Sequence, residues 1–211
     1  MMRVELAAEP VNFRELVQQP GDAFTASVPH PTEKQWKAHN YWRRVARELH
    51  DTYEGICAYY CQYIPFVTGS DTVDHFRPKK KHPKEAYKWK NYRLVSGMMN
   101  GRKKDYEDII DPFLIDGDWF IIDFDTYLVK ENPLFSSDIQ RAVRKTIDRL
   151  KLNNDNCVYG RIDALTMFAK LDNLDFLDFW APFLARELRR QNLAEVMLFR
   201  FQELLASRRV E

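Results

Sequence analysis

The stretch that decides the fold is CAYYCQYIPFVTGSDTVDHFRPKKKHPKEAYKWKNYRLVSGMMNGRKKD, residues 57–105. Within it, Asp74 and His75 close a short run of β-favouring residues, and Asn91 opens a second such run. Asn100 follows at a predicted helix start. The pattern predicts a β-hairpin followed by a helix, with an acid, a histidine and two asparagines at the junctions.

These residue types suit the hydrolysis of a phosphodiester. A neutral histidine with a pKa near ~6.5 can take a proton from water at physiological pH. A hard divalent cation held by oxygen ligands stabilises the negative charge that builds up during the reaction. His75 is therefore the predicted general base, and Asp74 and Asn100 are the predicted ligands of Mg²⁺ or Mn²⁺. We predict that Asn91 ties the loop between the strands, so that His75 points at the metal-bound phosphate.

The same region carries a strong basic charge. Between Asp74 and Lys104 there are eleven lysines and arginines and two acids, in a chain of net charge +1, so the remainder is net acidic. A basic window favours contact with a nucleic-acid backbone, although a solvated lysine-rich loop has the same composition. The predicted phosphate contacts are Arg77, Lys79, Arg102, Lys103 and Lys104.

The order Asp-His, Asn, then Asn-x-x-Lys, with Trp89 shortly before the middle asparagine, resembles the HNH (ββα-metal) endonuclease superfamily, in the variant that ends in Asn. The resemblance covers about residues 55–105. It implies a β-hairpin and a helix that clasp one divalent ion, and it assigns the same roles to the four residues above. The phrase VDHFRPK also resembles small prokaryotic HNH proteins, including the nuclease subunit of Septu-type anti-phage systems. That likeness implies a role in defence beside a partner ATPase.

The chain departs from many HNH relatives at the structural zinc, which two Cys-x-x-Cys knuckles hold in those proteins. Here the first knuckle is stretched to Cys57 and Cys61. Ser96 and Met99 stand where the second would be. Because two thiolates cannot fill a four-coordinate zinc site, we expect no structural zinc. Met98 or Met99 is expected to pack against apolar surface instead.

Outside this region the pattern predicts mainly helices. Prolines and glycines interrupt residues 1–31, so we expect an extended lead-in with at most one short helix near Asn12–Gln18. A long helix is predicted from about Glu33 to Tyr53, with a capping box at its start and both tryptophans in the core. A second hairpin is predicted to join 119–123 to 127–130. Further helices are predicted from 137 to the break at 153–154, over 156–171, and over 174–207 with an interruption near 182 or 191–192.

We therefore expect an α+β fold in which a ββα-metal element is embedded in a mostly helical domain. The predicted segments are an N-terminal lead-in and helix (1–54), a nuclease core with the following β-hairpin (55–135) and a C-terminal helical region packed on that core (136–211). A hydrophobic fraction of 45% indicates a real core and argues against disorder.

The expected compartment is the cytoplasm. No stretch approaches the ~20 apolar residues that span a bilayer, and the first residues lack the apolar run of a signal peptide. Three cysteines fit a reducing compartment better than a disulfide framework. No membrane partner is expected.

The predicted function is that of a metal-dependent endonuclease, acting on DNA rather than RNA, as an effector of anti-phage defence. One alternative is a nuclease that acts on RNA. Another is a nucleic-acid-binding or scaffold protein that keeps the fold without turnover. A third is an unrelated fold in which His75 and the asparagines serve only as turn and cap residues.

Overall fold

The computed structural model describes residues 1–66 and 71–207. It has an α+β fold, as expected, and is mostly helical with two separate antiparallel strand pairs. The strands are β1 (Asp71–His75), β2 (Tyr92–Ser96), β3 (Phe120–Asp123) and β4 (Leu128–Glu131). The helices are α1 (Gln19–Ser27), α2 (Glu33–Ala38), α3 (Ala46–Thr52), α4 (Gly97–Lys103), α5 (Ser137–Leu150), α6 (Asp155–Leu171), α7 (Leu174–Trp180), α8 (Pro182–Arg190) and α9 (Ala194–Ser207).

Strands β1 and β2 form the first pair, with His75 opposite Tyr92 at the end of the ladder. Helix α4 follows β2 directly. The Ser96 hydroxyl accepts a hydrogen bond from the Met99 backbone N–H at 3.3 Å, and this cap fixes where α4 begins. The predicted order of strand, strand and helix is confirmed for this part of the chain.

The expected lead-in is confirmed only in part. Residues 1–10 form no helix or strand, but the helix predicted near Asn12–Gln18 continues beyond Gln18. Arg14–Gln18 form a π-helical turn that runs directly into α1. The wide π turn lets the chain continue through Pro20, which has no N–H to donate within an ordinary helix. Gly21 is required next to it, because a Cβ atom there would lie 2.1 Å from the ring of Tyr87. Packing of α1 onto this ring therefore outweighs the local helix-breaking signal.

The single long helix predicted from Glu33 to Tyr53 is wrong. The capping box at its start is confirmed, but α2 ends at Ala38. A 3₁₀ turn (Tyr41–Val45) then leads into α3. At the break, the His39 ring stacks on Phe24 with ring centroids 3.8 Å apart, and its Nδ1 lies 2.8 Å from the Gln35 carbonyl oxygen. This tertiary contact stabilises the interruption.

The second hairpin is confirmed, since β3 and β4 pair with Phe120 opposite Glu131. Helix α5 begins at Ser137, as predicted, and the Ser136 side chain caps it. Both interruptions considered for the last segment occur, so that it forms the three helices α7, α8 and α9.

One continuous cluster of buried apolar side chains extends from the N-terminal segment to α9. Trp36 lies in this cluster with 1% of its surface exposed, as predicted. Trp42 packs against this cluster but is only partly buried, so it is less buried than predicted. In the described ranges, no helix is long and apolar enough to cross a membrane.

Candidate active site

A cleft of about 480 Å³ opens beside β1, and a smaller hollow of about 200 Å³ adjoins it. His75, Lys79 and Asn100 line both spaces, and Asp74 lines the smaller one. Three of the four residues selected from the sequence therefore meet at one concave surface. Asn91 does not line it and is buried immediately before β2.

His75 is a buried base with a defined proton position. Its Nε2 lies 2.9 Å from the carbonyl oxygen of Ala86. Since a carbonyl can only accept, the proton is assigned to Nε2, and Nδ1 is left as an unprotonated acceptor. Burial, together with the ammonium of Lys79, lowers the pKa of His75 to about 3, which keeps the ring neutral. Among the described residues, nothing hydrogen bonds to Nδ1.

Among the described contacts, one oxygen of the Asp74 carboxylate is hydrogen bonded and the other is not. Its Oδ2 accepts a hydrogen bond from the Tyr59 hydroxyl at 2.6 Å and lies 3.7 Å from Lys103 Nζ. Its Oδ1 accepts no hydrogen bond from any residue that the structure describes. Burial raises the pKa of this carboxyl despite the nearby ammonium of Lys103. An additional cation at Oδ1 would offset that unfavourable burial of charge.

Asn100 offers a neutral oxygen to the same hollow. Its Nδ2 donates to Thr72 Oγ1 at 3.0 Å, and the Thr72 hydroxyl donates in turn to the Val95 carbonyl at 3.1 Å. The amide nitrogen is thus occupied, and the Asn100 oxygen is the atom left for a ligand. Over residues 1–66 and 71–207, no three His, Cys, Asp or Glu side chains group to hold a metal. One carboxylate and one amide oxygen fit a hard cation that keeps most of its coordination for water and phosphate.

Asn91 has the bonds that the predicted brace requires. Its Nδ2 donates to the carbonyl oxygens of Arg77 and Glu85, each at 3.0 Å. Its Oδ1 accepts from the Arg77 backbone N–H at 2.7 Å. These three bonds tie Arg77, near the start of the loop that follows β1, to Glu85 in its middle through the Asn91 side chain. The same loop carries Ala86, so Asn91 supports the acceptor of the His75 proton.

Two predicted phosphate contacts are corrected. Lys103 is fully buried, and its Nζ donates to the carbonyl oxygens of His75 at 2.8 Å and Phe76 at 2.6 Å. Arg102 turns away from the cleft and donates to the Leu150 and Lys151 carbonyls. Their place after Asn100 suggested the substrate side, but successive helix positions point in different directions. Lys103 holds the end of β1, and Arg102 joins α4 to the end of α5.

Several of the other basic residues are paired with acids. Arg77 binds Glu85 at 2.6 Å and is therefore only partly available to a phosphate. Further pairs join Lys80 to Glu33, Lys81 to Glu107, Lys88 to Asp22 and Arg93 to Asp111. The cleft cations, defined as Arg43, Lys79 and Lys104, line the cleft or its hollow without an ion pair to any described carboxylate. Lys79 and Lys104 were predicted, but Arg43 was missed because it precedes the motif by some thirty residues.

The stretched knuckle forms a tight turn. Cys57 and Cys61 are buried thiols, and burial raises the pKa of Cys57. The Cys61 N–H donates to the Cys57 carbonyl at 2.8 Å and closes a tight turn. That turn carries Tyr59, the donor to Asp74, which the sequence analysis missed. Met99 is fully buried whereas Met98 is 41% exposed, so Met99 is the methionine that packs against the core.

Comparisons with known proteins identify no family. No family model matches the chain, and no curated protein sequence matches it either. Fold and site together define a mostly helical α+β protein with an acid, a neutral histidine and an asparagine around a cationic cleft. Inference of its function therefore depends on the chemistry of that cleft and on the motif resemblance of residues 55–105.

Proposed function

We propose that this protein is a metal-dependent endonuclease of the HNH type, which hydrolyses phosphodiester bonds in DNA. One observation carries the proposal. His75, Asp74 and Asn100 line the same hollow, and Nδ1 of the neutral His75 and one side-chain oxygen each of Asp74 and Asn100 have no described hydrogen-bond partner. A base for water and two ligands for a hard cation are the groups that phosphodiester hydrolysis requires.

In this proposal each residue of the site has a separate chemical role. His75 Nδ1 takes the proton from the attacking water, and the Ala86 carbonyl stabilises the imidazolium that forms through its bond to Nε2. Asp74 and Asn100 would hold Mg²⁺ or Mn²⁺, which would neutralise charge on the phosphate and on the 3′ leaving oxygen. The cleft cations bind the flanking phosphates. The expected products carry a 5′-phosphate and a 3′-hydroxyl.

Cleavage of supercoiled plasmid tests the proposal, with Mg²⁺, with Mn²⁺ and with EDTA. Loss of the base in His75→Ala should lower the rate by roughly 10²–10⁴-fold, the usual contribution of general base catalysis. His30→Ala is the matched control, because His30 is an exposed histidine outside the cleft. Equal rates for the wild type and His75→Ala, or undiminished cleavage in EDTA, would overturn the assignment.

A binding protein without turnover is the second candidate. It is favoured by the surroundings of Asp74, since Tyr59 and the buried Lys103 already partly compensate its charge. This candidate predicts tight binding of nucleic acid, no cleavage of DNA or RNA with either metal, and an unchanged affinity in His75→Ala.

The choice of DNA and the role in defence rest on the motif resemblance, because the groups in the cleft act on a phosphodiester common to DNA and RNA. Parallel assays on both polymers separate the two substrates. We place the protein beside a partner ATPase by the same resemblance. Purification from the native operon without a second polypeptide would count against that partnership.

A further inference from the structure

An aromatic side chain stands exposed in the cleft beside the base. Phe66 lines the cleft with 42% of its surface exposed. The guanidinium of Arg47 lies 4.3 Å from the centre of its ring and is itself bound to Asp51 at 2.9 Å. Arg47 does not line the cleft, so it supports the Phe66 ring from outside. An exposed ring held in this way is a preformed stacking surface.

Cations share the cleft with this ring. Arg43 and Lys79 line the same cleft, and Lys79 Nζ lies 5.1 Å from the centre of the Trp42 ring. Trp42 in turn contacts His75 edge-on, with ring centroids 4.7 Å apart. The cleft thus combines positive charge, aromatic surface and the base His75. Proteins that bind single-stranded nucleic acids use this combination, because every base has a face that can stack.

The depth of the site favours an unpaired strand over a duplex. His75 is 7% exposed and Asp74 is 3% exposed, so the reacting phosphate must enter the cleft to reach them. Stacked, paired bases hold the backbone of a duplex on the outside of a stiff rod. An unpaired nucleotide can turn its base aside into a pocket, at a cost that is lowest where no pair has to be opened. A cleft of about 480 Å³ is of the size that accommodates a small-molecule ligand.

We propose that the strand is single-stranded where it is cut, with one unpaired base stacked on Phe66 and the adjoining phosphates bound by Arg43 and Lys79. The inference rests on the proposed function for the cutting, and on Phe66, Arg43 and Lys79 for the binding. It names the substrate class as unpaired nucleotides, in a single strand or in a gap or bulge of a duplex.

The test uses the full chain, with EDTA to prevent cleavage. The probes are a fluorescent oligothymidylate, the same length of oligouridylate and a fully paired duplex. Phe66→Leu should weaken single-strand binding by about 5- to 150-fold, the range for loss of one stacked base. Phe199→Leu is the matched control, since Phe199 is exposed on α9 outside the cleft. Its affinity should equal that of the wild type, and the wild type should bind the duplex at least about tenfold more weakly than the single strand.

A second readout reports stacking itself. A 2-aminopurine base in the oligothymidylate should lose fluorescence on binding the wild type and should keep it with Phe66→Leu. Arg43→Gln should weaken binding while the quenching at saturation remains, because the ring is intact. Equal affinity of the wild type for duplex and single strand, or full quenching by Phe66→Leu, would overturn the inference.

The outcomes for the two proposals are distinguishable. Phe66-dependent binding of single strands without His75-dependent cleavage would keep this inference and overturn the nuclease. His75-dependent cleavage of duplex, with no effect of Phe66→Leu on binding or on rate, would do the reverse.

Discussion

Two buried asparagines, Asn91 and Asn132, make similar hydrogen bonds, but only Asn91 lies near the candidate site. Comparing them distinguishes a role in the site from a purely structural role. Asn91 braces the loop after β1, whereas Asn132 donates to the Asp118 carbonyl and accepts from the Leu134 N–H, away from the cleft. Replacing either with alanine leaves buried polar groups unpaired, which should lower the free energy of unfolding by about 2–3 kcal/mol. Only Asn91→Ala should also lower the cleavage rate, because only Asn91 supports the Ala86 acceptor.

Urea unfolding and cleavage assays, at a temperature where both variants remain folded, compare the two. A folded Asn91→Ala variant that cleaves at the wild-type rate would refute the brace.

The buried ammonium of Lys103 yields a second prediction at this scale. Lys103→Met keeps most of the side-chain volume but leaves the His75 and Phe76 carbonyls without their donor. We expect the free energy of unfolding to fall by about 1–3 kcal/mol. The salt dependence of nucleic-acid binding should stay unchanged, since Lys103 reaches no phosphate. A reduced salt dependence in a stable Lys103→Met variant would restore its original interpretation as a phosphate contact.

The sequence was informative for residues whose chemistry lies in the side chain. Asp74, His75 and Asn100 could be selected because an acid, an imidazole and an amide are recognisable in a motif. The Ala86 carbonyl could not, because any residue type supplies a backbone acceptor. Tyr59 was hidden for another reason: tyrosine is common in cores, and only the fold brings its hydroxyl to Asp74.

At the scale of the elements, the β3–β4 hairpin has a carboxylate at its turn. Asp123 binds Lys130 and accepts from the Asp125 N–H, and these bonds, that to Lys130 foremost, lower its pKa from 3.8 to about 2. A carboxyl group whose pKa is lower in the folded state stabilises the fold at pH values above its pKa in the unfolded state. That contribution is lost as the pH falls towards the folded value.

We therefore expect wild type to be more stable than Asp123→Asn near pH 6, and the gap to close between about pH 4 and pH 2. The asparagine side chain keeps an oxygen that can accept the Asp125 N–H, so the comparison isolates the effect of the Asp123 charge on stability. Thermal unfolding as a function of pH measures the gap. A gap that stays constant down to pH 2 would show that Asp123 acts through its shape alone.

Element boundaries failed where tertiary contacts override local propensity. The apolar spacing from Trp36 to Leu49 is compatible with one helix, and the break at His39 became visible only with its partner Phe24 in place. Pro20 and Gly21 looked like helix breakers, yet a π turn and the Tyr87 ring accommodate them inside a helical segment. The β3–β4 hairpin was predictable because its alternation and turn residues are local signals.

For the molecule as a whole, the pairing of charges predicts a weak dependence of binding on salt. Three cleft cations should give a slope of about 2 in log Kd against log salt for single strands, at about 0.7 per phosphate contact. If all eleven basic residues between Asp74 and Lys104 touched phosphate, the slope would be about 8.

Titrations of the oligothymidylate at several salt concentrations measure this slope. Lys104→Gln should lower it by about 0.7, while Lys90→Gln, at an exposed lysine outside the cleft, should not change it. A slope near 8 would contradict the small number of cleft contacts.

The basic window between Asp74 and Lys104 shows why the sequence overestimates the number of cations available to a phosphate backbone. Its net charge was counted along the chain, whereas the compensating acids come from other elements, such as Glu33 on α2 and Asp22 on α1. Arg43 is the opposite case: it lines the cleft but lies outside the basic window, so the charge count along the chain did not include it. Which charges remain available is a property of the folded molecule.

The Ala86 carbonyl also constrains how the sequence around this site can vary. Because the acceptor of the His75 proton belongs to the backbone, no side-chain replacement removes it, and position 86 is limited mainly by the space around a fully buried methyl group. An insertion or deletion between Pro78 and Ala86 would instead displace the oxygen itself. Lineages descended from this chain should therefore keep the length of that loop more strictly than its residue types, apart from Lys79 in the cleft and a small residue at position 86.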